Sequence, residues 1–118
     1  MILGIGIDLV DLKRISELMS DRFIERVLSE SEQKLYHNIA AEQTKLSFVG
    51  GRFAAKEALF KAFSKGDGTA NYTDFSVLND ENGAPFVISK HIEANHRVLI
   101  SISHTDAYAM AYVMIEKL

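Results

Sequence analysis

The chain has no cysteine, a single proline (Pro85) and no apolar run long enough to span a bilayer. Without cysteine it can have no disulfide, no thiolate metal site and no cysteine nucleophile. With one proline and no Pro/Gly/Ser-rich linker, repeat or low-complexity tract, residues 1–118 are expected to form one domain. Charge of one sign is also scarce. Thirteen basic and sixteen acidic residues leave a net charge of −3, which argues against a general nucleic-acid binder. The apolar start, Met1 to Ile7, reaches an acid at Asp8 and has neither a basic leader nor a small-residue cleavage site. It is therefore expected to be a strand and not a signal peptide, and the lack of cysteine agrees with the cytoplasmic location expected for the protein.

Several nucleotide-binding and hydrolase signatures are missing as well. Gly4-x-Gly6 lacks the glycine spacing and the Lys-Ser/Thr of a phosphate loop, and does not match a dinucleotide fingerprint. There is no Gly-x-Ser-x-Gly elbow. No histidine pair has zinc-ligand spacing, and His37, His91 and His96 stand in polar settings.

The pattern that is present reads as α+β with a largely antiparallel sheet. Alternation over Ile2–Val10 puts Ile5, Ile7 and Leu9 on one strand face and Gly4, Gly6 and Asp8 on the other. Asp11 is expected to cap a helix running to about Val27, with Leu12, Ile15, Leu18, Met19 and Phe23 on its apolar side. Ser29 and Glu32 have capping-box spacing ahead of a shorter helix. A long helix from about Glu42 to Phe63 follows, closed by Gly66-Asp67-Gly68. Phe75–Leu78 and Pro85–Ile88 flank an Asn82-Gly83 hairpin turn, and Arg97–Ser103 pairs with Ala109–Ile115 through His104-Thr105-Asp106.

Three places could carry chemistry. Asp8 is a carboxylate in an apolar strand, so it must be paired, metal-bound or turned out to cap the next helix. In Gly51-Arg-Phe-Ala-Ala-Lys-Glu-Ala-Leu-Phe-Lys61, the residues Phe53, Glu57 and Lys61 share one helical stripe, with Arg52 and Lys56 one residue back. Glu57 and Lys61 also have the spacing of an ordinary surface ion pair. His104 ends an apolar strand beside small hydroxyls, where it is either structural or part of a site. Two carboxylates with cations nearby suit a hard Mg²⁺ ion carrying polyphosphate oxygens.

At these residues the sequence resembles the holo-acyl-carrier-protein synthases, the small bacterial 4′-phosphopantetheinyl transferases. Three blocks carry the likeness: Gly4-Ile-Gly-Ile-Asp-Leu-Val10 with Arg14-Ile15, Gly51 to Ala62, and Ser101-Ile-Ser-His-Thr105. The resemblance implies transfer of 4′-phosphopantetheine from coenzyme A to a serine of acyl carrier protein, releasing adenosine 3′,5′-bisphosphate and activating the carrier for fatty acid biosynthesis. It implies Mg²⁺ on Asp8 and Glu57, and a catalytic trio of Asp8, Glu57 and Lys61. Coenzyme A contacts fall on Arg52, Lys61, Gly83, Pro85 and His104. Arg14, with Arg22 and Arg26, would dock the carrier protein. The family assembles as homotrimers with active sites between subunits. The chain departs from the family pattern at Ser64-Lys-Gly-Asp-Gly68, where Gly-Thr-Gly is common, and at Ala84, where lysine is common. Other readings of the residues are a Mg²⁺-dependent pyrophosphohydrolase or a non-catalytic binding module.

Overall fold

The computed structural model describes residues 1–64 and 70–118. The element order is β1 (Ile2–Asp11), α1 (Leu12–Leu18), α2 (Asp21–Val27), α3 (Glu30–His37), α4 (Glu42–Phe63), a 3₁₀ turn (Tyr72–Asp74), β2 (Phe75–Asn79), β3 (Pro85–Ser89), β4 (His96–His104) and β5 (Tyr108–Lys117). The strands divide into two antiparallel sheets, one ordered β1-β5-β4 and the other a β2-β3 hairpin. This is the expected α+β architecture, with the long helix α4 packed on the inner face of the larger sheet.

One expected element is divided in two. The helix anticipated from Asp11 to Val27 breaks at Met19 and Ser20. Ser20 is fully extended and its hydroxyl accepts from the Phe23 N–H, so it starts a second helix instead of continuing the first. A serine in mid-helix always has this alternative, because its side chain competes for backbone donors. Asp11 caps α1 as expected, accepting from Lys13 N–H. The Ser29/Glu32 capping box forms at α3. Helix α4 ends at Phe63, with Ser64 in the left-handed region; the anticipated Gly66-Asp67-Gly68 stop lies outside the described residues.

At the β2–β3 turn, one Asp80 carboxylate oxygen accepts from the N–H groups of Asn82 and Ala84. Gly83 adopts φ +83°, a conformation that favours glycine.

The two faces of β1 do unequal work. Gly4 and Gly6 lie directly against α4, where a Cβ on Gly6 would sit 1.9 Å from the carbonyl oxygen of Ala58. Only glycine allows that approach. The apolar residues Ile5, Ile7 and Leu9 instead face outward, 59, 52 and 64% exposed. The core lies on the other side, between Val113, Ile115, Ala109 and Ala111 of β5 and Ala54, Ala55, Ala58 and Leu59 of α4.

A buried ion pair ties the helices to the smaller sheet. Lys56 Nζ is 2.8 Å from Glu32 Oε1, with both side chains wholly enclosed. It also donates to the carbonyls of Val27, Tyr72 and Phe75. Glu32 accepts in turn from the backbone N–H groups of Ser29 and Val77. Burial pulls the Lys56 ammonium down from its usual range, and Glu32 opposes the shift. Removing one partner of such a pair typically costs about 3–5 kcal/mol, since the other charge is left buried alone.

Candidate active site

Asp8, Glu57 and Lys61 meet where the end of β1 crosses α4. The glycines before Asp8 bring the strand down onto the helix, and the period of two places Asp8 on that same inner face. Its side chain is 18% exposed, and Lys61 Nζ lies 3.3 Å from Oδ1. The same ammonium donates to the Ile7 carbonyl at 2.8 Å. Lys61 thus reaches across to the strand, and the intrahelical Glu57–Lys61 pair that the spacing permits is not formed among the described residues.

Asp8 and Glu57 share the wall of a cavity of about 520 Å³ with Arg14, Ile15, Leu18 and Phe53. Burial raises the Asp8 carboxyl above the ordinary carboxylate range; Lys61 offsets part of this, and the charge of Glu57 adds to it. Two carboxylates close enough to repel, with a single exposed lysine paired to one of them, leave a deficit of positive charge. A divalent cation fits that donor set: oxygen ligands only, with room in the cavity for further oxygens. Among the described residues no cluster of three or more His, Asp or Glu occurs, so the protein offers a carboxylate pair and not a closed cage.

Arg52 and His104 line a second cavity, of about 340 Å³, together with Phe48, Gly51, Ile102 and Asp106. Arg52 lies over the Phe48 ring, 4.3 Å from its centroid, and its Nε donates to the Val77 carbonyl. Its Nη2 is buried with no hydrogen-bond partner among the described residues. Burial lowers the guanidinium from its usual range, with Glu32 opposing. Gly83 and Pro85 stand apart from both cavities, at the β2–β3 turn and the start of β3. Arg14 is exposed on α1; Arg22 and Arg26 are exposed on α2, so the break at Ser20 puts the three arginines on two helices.

Two contacts had no signal in the sequence. Tyr72 donates its hydroxyl to Glu57 Oε1, and burial together with that carboxylate pushes the phenol up to about 12. His91 lies 3.1 Å from Asp74, with the ring over Phe75. Neither contact follows from local spacing, because each partner lies fifteen or more residues away.

The family model of the 4′-phosphopantetheinyl transferase superfamily matches residues 4–113, which takes in β1 from Gly4 onward, α4 and β4 with every residue just described around Asp8, Arg52 and His104. The chain belongs to that superfamily. It is 53% identical over 116 residues to the holo-[acyl-carrier-protein] synthase of Acholeplasma laidlawii, covering 98% of each chain. To the enzyme of the same name from Bacillus subtilis it is 43% identical over 121 residues, covering 100% of this chain and 98% of the relative. Its fold matches the crystal structure of a holo-(acyl-carrier-protein) synthase from Bacillus anthracis in complex with CoA (3′,5′-ADP), with TM-score 0.86 and 39% identity over 100% of this chain and 99% of that one. The Helicobacter pylori synthase in complex with coenzyme A matches with TM-score 0.80 and 31% identity, over 95 and 99% of the chains. The α+β fold with antiparallel sheets and a long helix is therefore that of the family. No helix among the described residues is long and apolar enough to cross a membrane.

Proposed function

We propose that this chain, acting as one domain, transfers 4′-phosphopantetheine from coenzyme A to a serine of apo-acyl carrier protein. The observation that carries the proposal is the meeting of Asp8 and Glu57 at one cavity, with Lys61 paired to Asp8, in a chain of this superfamily. Asp8 and Glu57 would hold Mg²⁺, which supplies positive charge against the pyrophosphate of coenzyme A. Lys61, already paired with Asp8, would contact the same phosphates and stabilise charge on the leaving group. The carrier serine oxygen bonds to phosphorus as the pyrophosphate P–O bond breaks, and adenosine 3′,5′-bisphosphate leaves. Glu57, directly or through a bound water, would accept the serine proton. The protein needs no nucleophile of its own.

The unpartnered Nη2 of Arg52, in a cavity shared with His104, suits a phosphate of coenzyme A. Gly83 and Pro85 would border the adenine. The Asp8 cavity and the Arg52 cavity share no lining residue, which suits one ligand held between two copies of the chain. The outward face of β1-β5-β4 suits an assembly surface, which in a homotrimer would lie between subunits. Ile7 and Leu9, with Met110, Tyr112 and Leu99, form an exposed apolar patch on a sheet, and such patches mark assembly surfaces. We place the protein in the cytoplasm, with coenzyme A and acyl carrier protein as its partners.

The decisive experiment is intact mass spectrometry of an apo-acyl carrier protein incubated with this chain, coenzyme A and Mg²⁺. A gain of one phosphopantetheine, absent when EDTA is added, is the expected result. Cleavage of coenzyme A without any mass gain would favour a pyrophosphohydrolase instead, and binding without either change a non-catalytic module.

Arg14 is exposed at the mouth of the Asp8 cavity, so a carrier docked there would present its serine to the reacting phosphate. Arg14→Glu should raise KM for the carrier about tenfold, the effect of one reversed rim charge, and leave coenzyme A affinity unchanged. Equal losses for both substrates would show that α1 is not the docking surface. Arg22 and Arg26 extend the same basic surface onto α2, and steering by all three should weaken as salt is added.

A further inference from the structure

Tyr72 is held at three points. Its ring stacks on Phe60, with 5.1 Å between centroids and 26° between planes, and leans on Phe53 at 5.6 Å. Its backbone carbonyl accepts a 2.9 Å hydrogen bond from the buried ammonium of Lys56. With ring and backbone fixed, the hydroxyl has little choice of direction, and it donates to Oε1 of Glu57.

Glu57 needs such a partner. A glutamate on a helix has three rotatable side-chain bonds, and a cation ligand must hold its geometry to within about half an ångström. The neighbour best placed along the helix does not provide the restraint, since Lys61 is committed to Asp8 and to the Ile7 carbonyl. Among the described residues, the Tyr72 hydroxyl makes the one side-chain hydrogen bond to the Glu57 carboxylate. Lys56 and Glu57 are adjacent in α4, so one turn of helix anchors the backbone of Tyr72 and receives its hydroxyl.

We propose that Tyr72 is a positioning residue of the metal site: its hydroxyl, aimed by Phe53, Phe60 and Lys56, engages one oxygen of Glu57 and sets the rotation of that carboxylate toward a divalent cation shared with Asp8. Partners of this kind orient the ligands of metal sites, and their loss typically costs about 10- to 100-fold in metal affinity or activity. The inference rests on the assignment of the cation to Asp8 and Glu57.

The test uses Tyr72→Phe, which deletes one oxygen and keeps the ring stack and the backbone carbonyl. Mn²⁺ serves as the probe. Its free-ion electron paramagnetic resonance signal is titrated against the full chain with coenzyme A present, and coenzyme A alone is the blank. Wild type should take up Mn²⁺, Glu57→Ala should not, and Tyr72→Phe should bind about tenfold more weakly. The Mg²⁺ concentration for half-maximal transfer should rise by the same factor, and the rate at saturating Mg²⁺ should stay within about threefold of wild type. The melting midpoint separates this from damage to the fold, and it should fall by no more than the few degrees that one lost hydrogen bond removes. Mn²⁺ binding by Tyr72→Phe equal to wild type, with Glu57→Ala still defective, would overturn the role of Tyr72 and leave the metal site standing. A Glu57→Ala variant that bound Mn²⁺ like wild type would overturn the metal assignment itself, and the inference with it. A fall in melting midpoint with an unchanged Mg²⁺ requirement would also overturn it, by showing that Tyr72 serves the fold alone.

Discussion

Asp8→Ala and Glu57→Ala should each lower Mg²⁺-dependent transfer by about 10³-fold or more, the several kcal/mol that a lost ligand removes from charge stabilisation in the transition state. Both variants should still fold. In Asp8→Ala, Lys61 keeps its 2.8 Å bond to the Ile7 carbonyl, and a carboxyl already strained by burial and by the charge of Glu57 disappears. In Glu57→Ala the Tyr72 hydroxyl loses its acceptor, at a cost of about 1 kcal/mol. Initial rates across a Mg²⁺ series, with melting curves on the same preparations, measure both effects. If both variants ran near the wild-type rate, the two carboxylates would not be the metal ligands.

A second large effect is expected on the far side of the same strand. Ile7 is half exposed and lies outside the core, so Ile7→Asp should spare the isolated fold. It would put a carboxylate in the middle of the outward patch, opposite Tyr112 in the β1–β5 register. Burying that charge in an interface costs several kcal/mol, enough to shift assembly by about 10³-fold or more. Sedimentation equilibrium should show the mass falling threefold, from trimer to monomer, and carrier modification should fall with it. An unchanged mass would exclude this face as the assembly surface. A monomer with full activity would place the whole site within one chain.

The sequence carried the local features and lost those that depend on distant partners. The Ser29–Glu32 capping box, the Asn82-Gly83 turn and the span of α4 all rest on neighbouring residues, and all appear as expected. Lys56 shows the opposite case. In sequence it belongs to the charged stripe beside Arg52, but it is wholly enclosed because Glu32, twenty-four residues earlier, returns to meet it. Tyr72 is silent for the same reason, its partner lying on the long helix fifteen residues before it. The strand face of β1 was readable only as an alternation. Nothing local says that the glycine side would be the inner one; that follows from how closely Ala58 and Ala62 approach it.

The alternation in β1 also limits how the gene can change. Pairing with β5 runs without a break from Gly4 to Asp11, with Asp8 opposite Ala111. Moving the strand by one residue would swap its faces, pressing isoleucine side chains into the backbone of α4 and turning the carboxylate outward. A single-codon insertion or deletion within that stretch would therefore strike helix packing and the Asp8–Glu57 carboxylate pair together, with no partial outcome between. The chain keeps one place for slack, the irregularity between Ile2 and Gly4, and it lies at the end of the strand away from Asp8. Length variation among descendants of this chain should collect there and in the connections between elements, while the interval from Gly4 to Asp8 stays fixed to the residue.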